Sequence, residues 1–215
     1  YTSGALQAGM DLYRYWDSYG NNDIVGAYVA IGNVSANVTH FDGLDAGNDN
    51  LSGLSLGAYF TRVGPEGWYI DGVLQVTGYS MSAQSSSDEL STDGVGLAAS
   101  LEGGYPIPLG DGLLLEPQGQ LVVQDVQLAA ASDSPALVSF EDGTSVIGRI
   151  GTRLTKEWEI PDARESQRVA TGWLQVSVVN EFLGRPGTLF TSPDGVPPFI
   201  VSSQGPGVQL VTGLD

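Results

Sequence analysis

Apolar and polar residues alternate along most of this chain. In residues 54–60, one parity reads Leu, Leu, Ala and Phe, and the other reads Ser, Gly and Tyr. The side chains of a β-strand point alternately to the two faces of its sheet. The pattern therefore predicts an all-β protein whose sheet has one apolar face and one polar face. The apolar face must contact either a second sheet or lipid.

The alternation predicts about nine strands, each of roughly ten residues, which is the length that a tilted membrane-spanning strand needs. Strands of soluble proteins are shorter, typically about five or six residues. The predicted strands cover residues 4–14, 24–38, 51–63, 67–80, 94–105, 113–126, 145–156, 170–182 and 207–213.

Short and long connections follow one another along the chain. Compact turns are predicted at 17–23, 64–67 and 106–112, and longer polar loops at 39–50, 81–93, 127–144 and 183–206. Membrane barrels have tight turns at one end and long external loops at the other, whereas a soluble β-sandwich has less reason to sort its loops this way. The connection at 157–168 falls where this order predicts a compact turn, but it is not short.

Two aromatic residues support contact with lipid. Trp68 and Tyr105 lie on the apolar parity and both flank a short turn. Membrane barrels carry a ring of aromatic side chains where the apolar face meets the headgroups. We therefore predict that Trp68 and Tyr105 are membrane-interface residues.

Four charged residues fall on the polar parity. A turn centred near Leu109 would place Glu102 opposite Glu116, and the next strand supplies Arg149 and Arg153. Two like charges facing each other need neutralisation. We therefore predict a structural charge network in the lumen. The alternative, paired carboxylates that hydrolyse glycosides, is less favoured with two arginines in reach.

Composition and motifs exclude several classes of function. The chain has no cysteine, and its net charge of -17 repels nucleic acid. The G-x-S-x-G pattern around Ser55 lies within a strand rather than at the required strand–turn–helix junction. The single histidine, His40, is interpreted as a solvated loop residue rather than a metal ligand. We expect no enzymatic activity, no metal and no cofactor.

Seven stretches resemble the β-barrel translocator domain of bacterial autotransporters, the type V secretion systems. The most specific is GPEGWYIDGVLQ at 64–75, and the resemblance covers essentially the whole chain in order. The other stretches are GALQAGMDLYR at 4–14, SLGAYFT at 55–61, SLEGGYP at 100–106, LEPQGQLV at 115–122, GRIGTRL at 148–154 and VVNEF at 178–182.

The resemblance implies an antiparallel transmembrane β-barrel in the outer membrane of a Gram-negative bacterium. It implies export of an N-terminal passenger of the same polypeptide, with outer-membrane lipid, a linker helix and the barrel-assembly machinery as partners. Residues 1–215 would form one partial domain, trimmed at both ends, with roughly nine of the expected twelve strands. A barrel or adhesin scaffold that secretes nothing, and a soluble β-sandwich binding module, remain alternatives.

Overall fold

The computed structural model describes residues 2–39, 45–85, 89–133, 136–140, 143–160, 168–184, 187–191, 198–200 and 205–214. No helix in these ranges is long and apolar enough to cross a membrane. The same ranges contain fourteen strands: β1 (Thr2–Trp16), β2 (Asn22–Thr39), β3 (Asp45–Val63), β4 (Tyr69–Ser85), β5 (Glu89–Gly104), β6 (Ile107–Gly110), β7 (Leu113–Leu128), β8 (Ala131–Asp133), β9 (Ala136–Phe140), β10 (Gly143–Ile160), β11 (Arg168–Glu181), β12 (Gly187–Thr191), β13 (Pro198–Ile200) and β14 (Gly205–Leu214).

One large antiparallel sheet dominates the described part of the chain. Its strand order is β1-β2-β3-β4-β5-β7-β10-β11-β14. The short strand β6 is outside this order and pairs with β7. The nine strands of this order coincide with the nine predicted from the alternation. They are 10 to 19 residues long.

The two longest predicted loops also contain strands, which the alternation did not reveal. β8 and β9 lie within residues 127–144, β12 and β13 lie within 183–206, and together they form a four-stranded sheet in the order β13-β12-β9-β8. Each of these strands has three to five residues, too few for a period to emerge. Their pairing also joins two loops that are distant in sequence, β9 with β12.

The turn after β6 corrects the predicted pairing of Glu102 with Glu116. Asp111 and Gly112 both have positive φ, 51° and 70°, as in the two-residue turns that Asp-Gly favours. Ile107 therefore pairs with Leu115, which centres the hairpin at position 111 rather than 109. As a result, Glu102 lies opposite Gln120, four residues from the partner expected from the sequence.

Burial in the large sheet is inverted relative to that of a soluble protein. Leu74 and Ile150, on the apolar parity, are 65% and 75% exposed, whereas Thr77 and Ser177, on the polar parity, are 5% and 2% exposed. Soluble proteins shelter apolar side chains and expose polar ones. An exposed apolar surface of this extent needs a non-aqueous neighbour, so the polar face is the inner face of the sheet and the apolar face is the outer face.

Candidate functional site

The inner face is held by aromatic rings that cross glycines on neighbouring strands. The ring of Tyr28 on β2 lies over Gly57 on β3, and its hydroxyl donates a hydrogen bond to Gln75 Oε1 on β4, 2.6 Å away. A Cβ atom at Gly57 would lie 2.1 Å from the Tyr28 ring. Glycine is therefore required at this position for close packing, a common reason for glycine inside a strand.

Two further tyrosines of the inner face pack against glycines on neighbouring strands. Tyr59 crosses Gly26 and donates to the Asp11 carboxylate two strands away. Tyr69 packs against Gly104 and donates to Glu102 Oε1 at 2.7 Å. These contacts were not predicted from the sequence. Each contact is indicated by a glycine on the polar parity that lies opposite a tyrosine. Which residues lie opposite each other is known only once the strand register is known.

Glu102 and Arg149 form the central ion pair of the inner face. Arg149 Nη2 lies 2.7 Å from Glu102 Oε2, and the two side chains are only 16% and 20% exposed. Arg149 Nε also donates to Gln120 Oε1 at 3.0 Å. Together with the bond from Tyr69, both oxygens of Glu102 have a donor. The arrangement neutralises Glu102 and fixes β5, β7 and β10 to one another.

Glu116 and Arg153 lie opposite each other on β7 and β10, closer to the short turns. The side chains find other neighbours: Glu116 Oε1 accepts from Gln118 Nε2 at 2.6 Å, and the Arg153 guanidinium lies 4.3 Å from the ring centre of Trp173. This is the geometry of a cation–π contact. Of the four predicted charges, Glu102 and Arg149 form an ion pair, whereas Glu116 and Arg153 contact other residues. The structural role predicted for all four stays a prediction.

Trp68 and Tyr105 lie at the short-turn end, on the parity of the outer face. Trp68 is half-buried, and its indole covers Gly64. Tyr105 is 46% exposed, and its hydroxyl donates to Glu66 Oε2 at 2.7 Å, a hydrogen bond that raises the pKa of Tyr105. Their role at a membrane interface stays a prediction.

A bulge adds two further aromatic residues to the short-turn end of the sheet. The register of β1 and β2 shifts between Asp11 and Tyr13, which places Tyr13 opposite Val25, an exposed residue of the outer face. Tyr13 and Tyr15 stack with their ring centres 6.5 Å apart. This pair was not predicted from the sequence, because a bulge breaks the alternation.

Neighbouring short turns contact one another through glycines with positive φ. A Cβ at Gly67, whose φ is 84°, would lie 2.9 Å from Cγ of Pro106 in the next turn, and a Cβ at Gly20, whose φ is 85°, would lie 3.4 Å from Cβ of Pro65, at ordinary contact distance. In the first turn the side-chain amide of Asn21 donates to Asp17 and lowers the pKa of that carboxyl. The turns therefore form a connected rim.

The described residues give no support to a hydrolase or metal site. Ser55 lies inside β3 rather than at a sharp turn. Its Oγ is 2.8 Å from Thr77 Oγ1. Within the ranges that the structure describes, no three His, Cys, Asp or Glu residues are grouped as metal ligands. His40 lies outside the described residues.

Solved structures with this fold include two autotransporter domains. The crystal structure of the transport unit of the autotransporter AIDA-I from Escherichia coli superposes with a TM-score of 0.83 at 18% identity, covering 99% of this chain and 70% of that one. The β-domain of the Bordetella autotransporter BrkA gives a TM-score of 0.66 at 18% identity, covering 99% and 89%. These similarities confirm the predicted fold, the wall of an antiparallel β-barrel.

Sequence comparison points to the same proteins. Pertactin autotransporter of Bordetella bronchiseptica is 32% identical over 152 residues, 68% of this chain and 16% of pertactin. The adhesin BmaC autotransporter of Brucella suis is 33% identical over 152 residues, 68% of this chain and 4% of that protein. The chain thus spans a small part of these relatives. The autotransporter beta-domain model matches residues 1–214, and the chain belongs to the autotransporter β-domain family.

Proposed function

We propose that this domain is the translocator of an autotransporter. It anchors in the outer membrane of a Gram-negative bacterium and exports a passenger that precedes it in the same polypeptide. The observation that carries the proposal is the inverted burial of the sheet, with Leu74 65% exposed on one face and Ser177 2% exposed on the other. A membrane barrel with a hydrated lumen has this distribution.

The outer face supplies the anchor in this proposal. Its leucines, valines and isoleucines contact the acyl chains, and the aromatic residues at the short-turn rim contact the headgroups. Insertion of a long antiparallel sheet requires that every backbone group find a partner. The barrel-assembly machinery is therefore a further proposed partner, because it would hold the strands while they pair.

The inner face supplies the export route. Arg149 neutralises Glu102, and Glu116 accepts a hydrogen bond from the side-chain amide of Gln118. Carboxylates that already have partners on the wall bind a passing polypeptide weakly, as export requires. In this proposal the carboxylates have no catalytic role, and the domain is not an enzyme.

Surface exposure of the passenger tests the proposal. The complete reading frame that encodes this chain would be expressed in a Gram-negative host with an epitope in the passenger, and intact cells would be treated with protease. We expect loss of the epitope from intact cells, while a periplasmic control protein stays uncut. A barrel that fractionates with the outer membrane but leaves the epitope protected would identify a scaffold that exports nothing.

A further inference from the structure

Aromatic rings of the inner face lie over glycines of neighbouring strands, but one pair of glycines is not covered in this way. At five described positions a Cβ atom would lie closer than 3.0 Å to a tyrosine or tryptophan ring: Gly26, Gly57, Gly96, Gly104 and Gly213. Gly32 on β2 and Gly53 on β3 lie directly opposite each other on the same face, and the described residues place no ring over this pair.

The pair forms part of the floor of a slot in the inner face. Apart from its chain neighbours, a Cβ atom at Gly32 would have no neighbour closer than 3.6 Å. A Cβ atom at Gly53 would lie 3.3 Å from Thr77 and 3.4 Å from the Tyr79 ring. Ala5, Gly32 and Gly53 form one register row. This row is the floor of the slot, which has a volume of about 390 Å³.

The two long sides of the slot differ in polarity. Val34 and Leu51, paired across β2 and β3, form the apolar side. Ser55 and Thr77, paired across β3 and β4, form the polar side, and their hydroxyl oxygens are 2.8 Å apart. One hydroxyl donates to the other, so the second retains a hydrogen that it can donate to a ligand. A flat glycine floor between these two sides fits a phenol ring whose oxygen accepts that hydrogen bond.

The described wall does not supply a ring for this slot from its neighbouring strands. The inner-face residues of β1 beside the floor are Ser3, Ala5 and Gln7, none of which is aromatic. Tyr28 of β2 extends over Gly57 instead. The slot faces the lumen, through which the proposed function passes a polypeptide, so a side chain of that polypeptide can reach it.

We infer that the slot binds a tyrosine side chain of the polypeptide that occupies the lumen. The inference rests on the proposed function, because it requires an exported chain on the inner side of the sheet. The ring lies on the floor formed by Gly32 and Gly53, and the phenol oxygen accepts a hydrogen bond from Ser55 or Thr77. This docking gives a chain that is otherwise held weakly one preferred position against the wall.

Photo-crosslinking of the complete polypeptide in cells tests the inference. Met81 is opposite Leu51, next to the slot but outside it, and is replaced by the photoreactive p-benzoyl-phenylalanine. We expect a crosslink within the same polypeptide, mapped by mass spectrometry to a segment that contains a tyrosine. Alanine in place of that tyrosine should lower the yield roughly tenfold, through the lost burial of the ring. Phenylalanine should lower it roughly fivefold, through the lost hydrogen bond.

A pair of wall variants tests the slot itself. Gly32→Leu fills the slot and should abolish the crosslink to that tyrosine, whereas Gly207→Leu adds the same side chain to the inner face of β14 and should not. A Cβ atom meets open space at Gly207 and ordinary contacts at Gly32, so both variants should fold, which heat-modifiable gel mobility checks. The substitutions of the mapped tyrosine leave the wall unchanged and test the inference independently.

Three results overturn the inference: no crosslink, a crosslink to a segment without a tyrosine, or a yield that Gly32→Leu or the loss of the tyrosine leaves unchanged. Failure of the proposed function is a different result, because the passenger epitope would then be protected from protease on intact cells. A passenger that is exported without the tyrosine crosslink therefore rejects the slot and retains the translocator.

Discussion

The hydroxyl of Tyr28 on β2 reaches Gln75 on β4 by passing over the strand between them, with a donor–acceptor distance of 2.6 Å. The contact is possible because Gly57 leaves space for the ring. One side chain thereby joins three strands on the inner face. Tyr59 on β3 likewise passes over Gly26 on β2 and donates to Asp11 on β1.

Gly57→Ala should destabilise the domain. The new methyl group would overlap the Tyr28 ring and displace it from Gln75, and we expect a loss of about 2 kcal/mol in the free energy of unfolding, from overpacking and the lost hydrogen bond. Urea denaturation of the protein in vesicles measures it. Gly78→Ala is the matched control, because nothing lies within 4 Å of a Cβ there. Equal effects at the two glycines would contradict this role of Tyr28.

The Glu102–Arg149 pair should show strong coupling. Arg149→Gln leaves the carboxylate of Glu102 in a mostly buried position without its counter-charge, and we expect a loss of about 2–3 kcal/mol in the free energy of unfolding. Glu102→Gln in the Arg149→Gln background should restore part of that loss. A double-mutant cycle measures the coupling. Strictly additive effects would mean that the ion pair contributes nothing to stability.

Glu116→Gln should have a smaller effect. Glu116 accepts one hydrogen bond from Gln118 and is not the partner of Arg149, so we expect a loss of about 1 kcal/mol. Denaturation measures stability, and a glycoside hydrolysis assay on wild type and variant tests the catalytic alternative. A hydrolytic activity that the variant loses at unchanged stability would reject a purely structural role for Glu116.

The rim of short turns can be tested with a matched pair of glycines. Gly67 and Gly110 both have positive φ, 84° and 95°, but only at Gly67 would a Cβ meet a neighbour, Pro106. Alanine at either position should cost about 1 kcal/mol for backbone strain. Gly67→Ala should cost about 1 kcal/mol more, because the contact is overpacked. Denaturation midpoints that fall equally would show that the turns do not support each other.

The sequence predicted the parts of the fold that depend on local periodicity. Nine strands and two faces follow from alternation, because each strand is long enough for the period of two to persist. Features that depend on a single irregular residue were missed. The Asp111-Gly112 turn moved the partner of Glu102 by four positions, and the bulge after Asp11 moved Tyr13 to the outer face.

The contacts of the inner face illustrate a second limit. Tyr28, Gly57 and Gln75 lie on three strands, so their meeting depends on two registers at once. Arg149 was placed correctly near Glu102 because strand order alone brings their strands close. Arg153 was expected in the same cluster but lies beside Trp173, a choice among several nearby partners that residue spacing does not decide.

The most direct test of the account is the environment of two adjacent residues on β5. Leu97 lies on the outer face and Ala98 on the inner face, and the chain has no cysteine, so single substitutions Leu97→Cys and Ala98→Cys can be compared in membranes. We expect a water-soluble maleimide to label the cysteine at 98 and a lipid-soluble reagent to label the one at 97. Labelling of position 97 by the water-soluble reagent, with position 98 protected, would contradict a lipid-facing outer face.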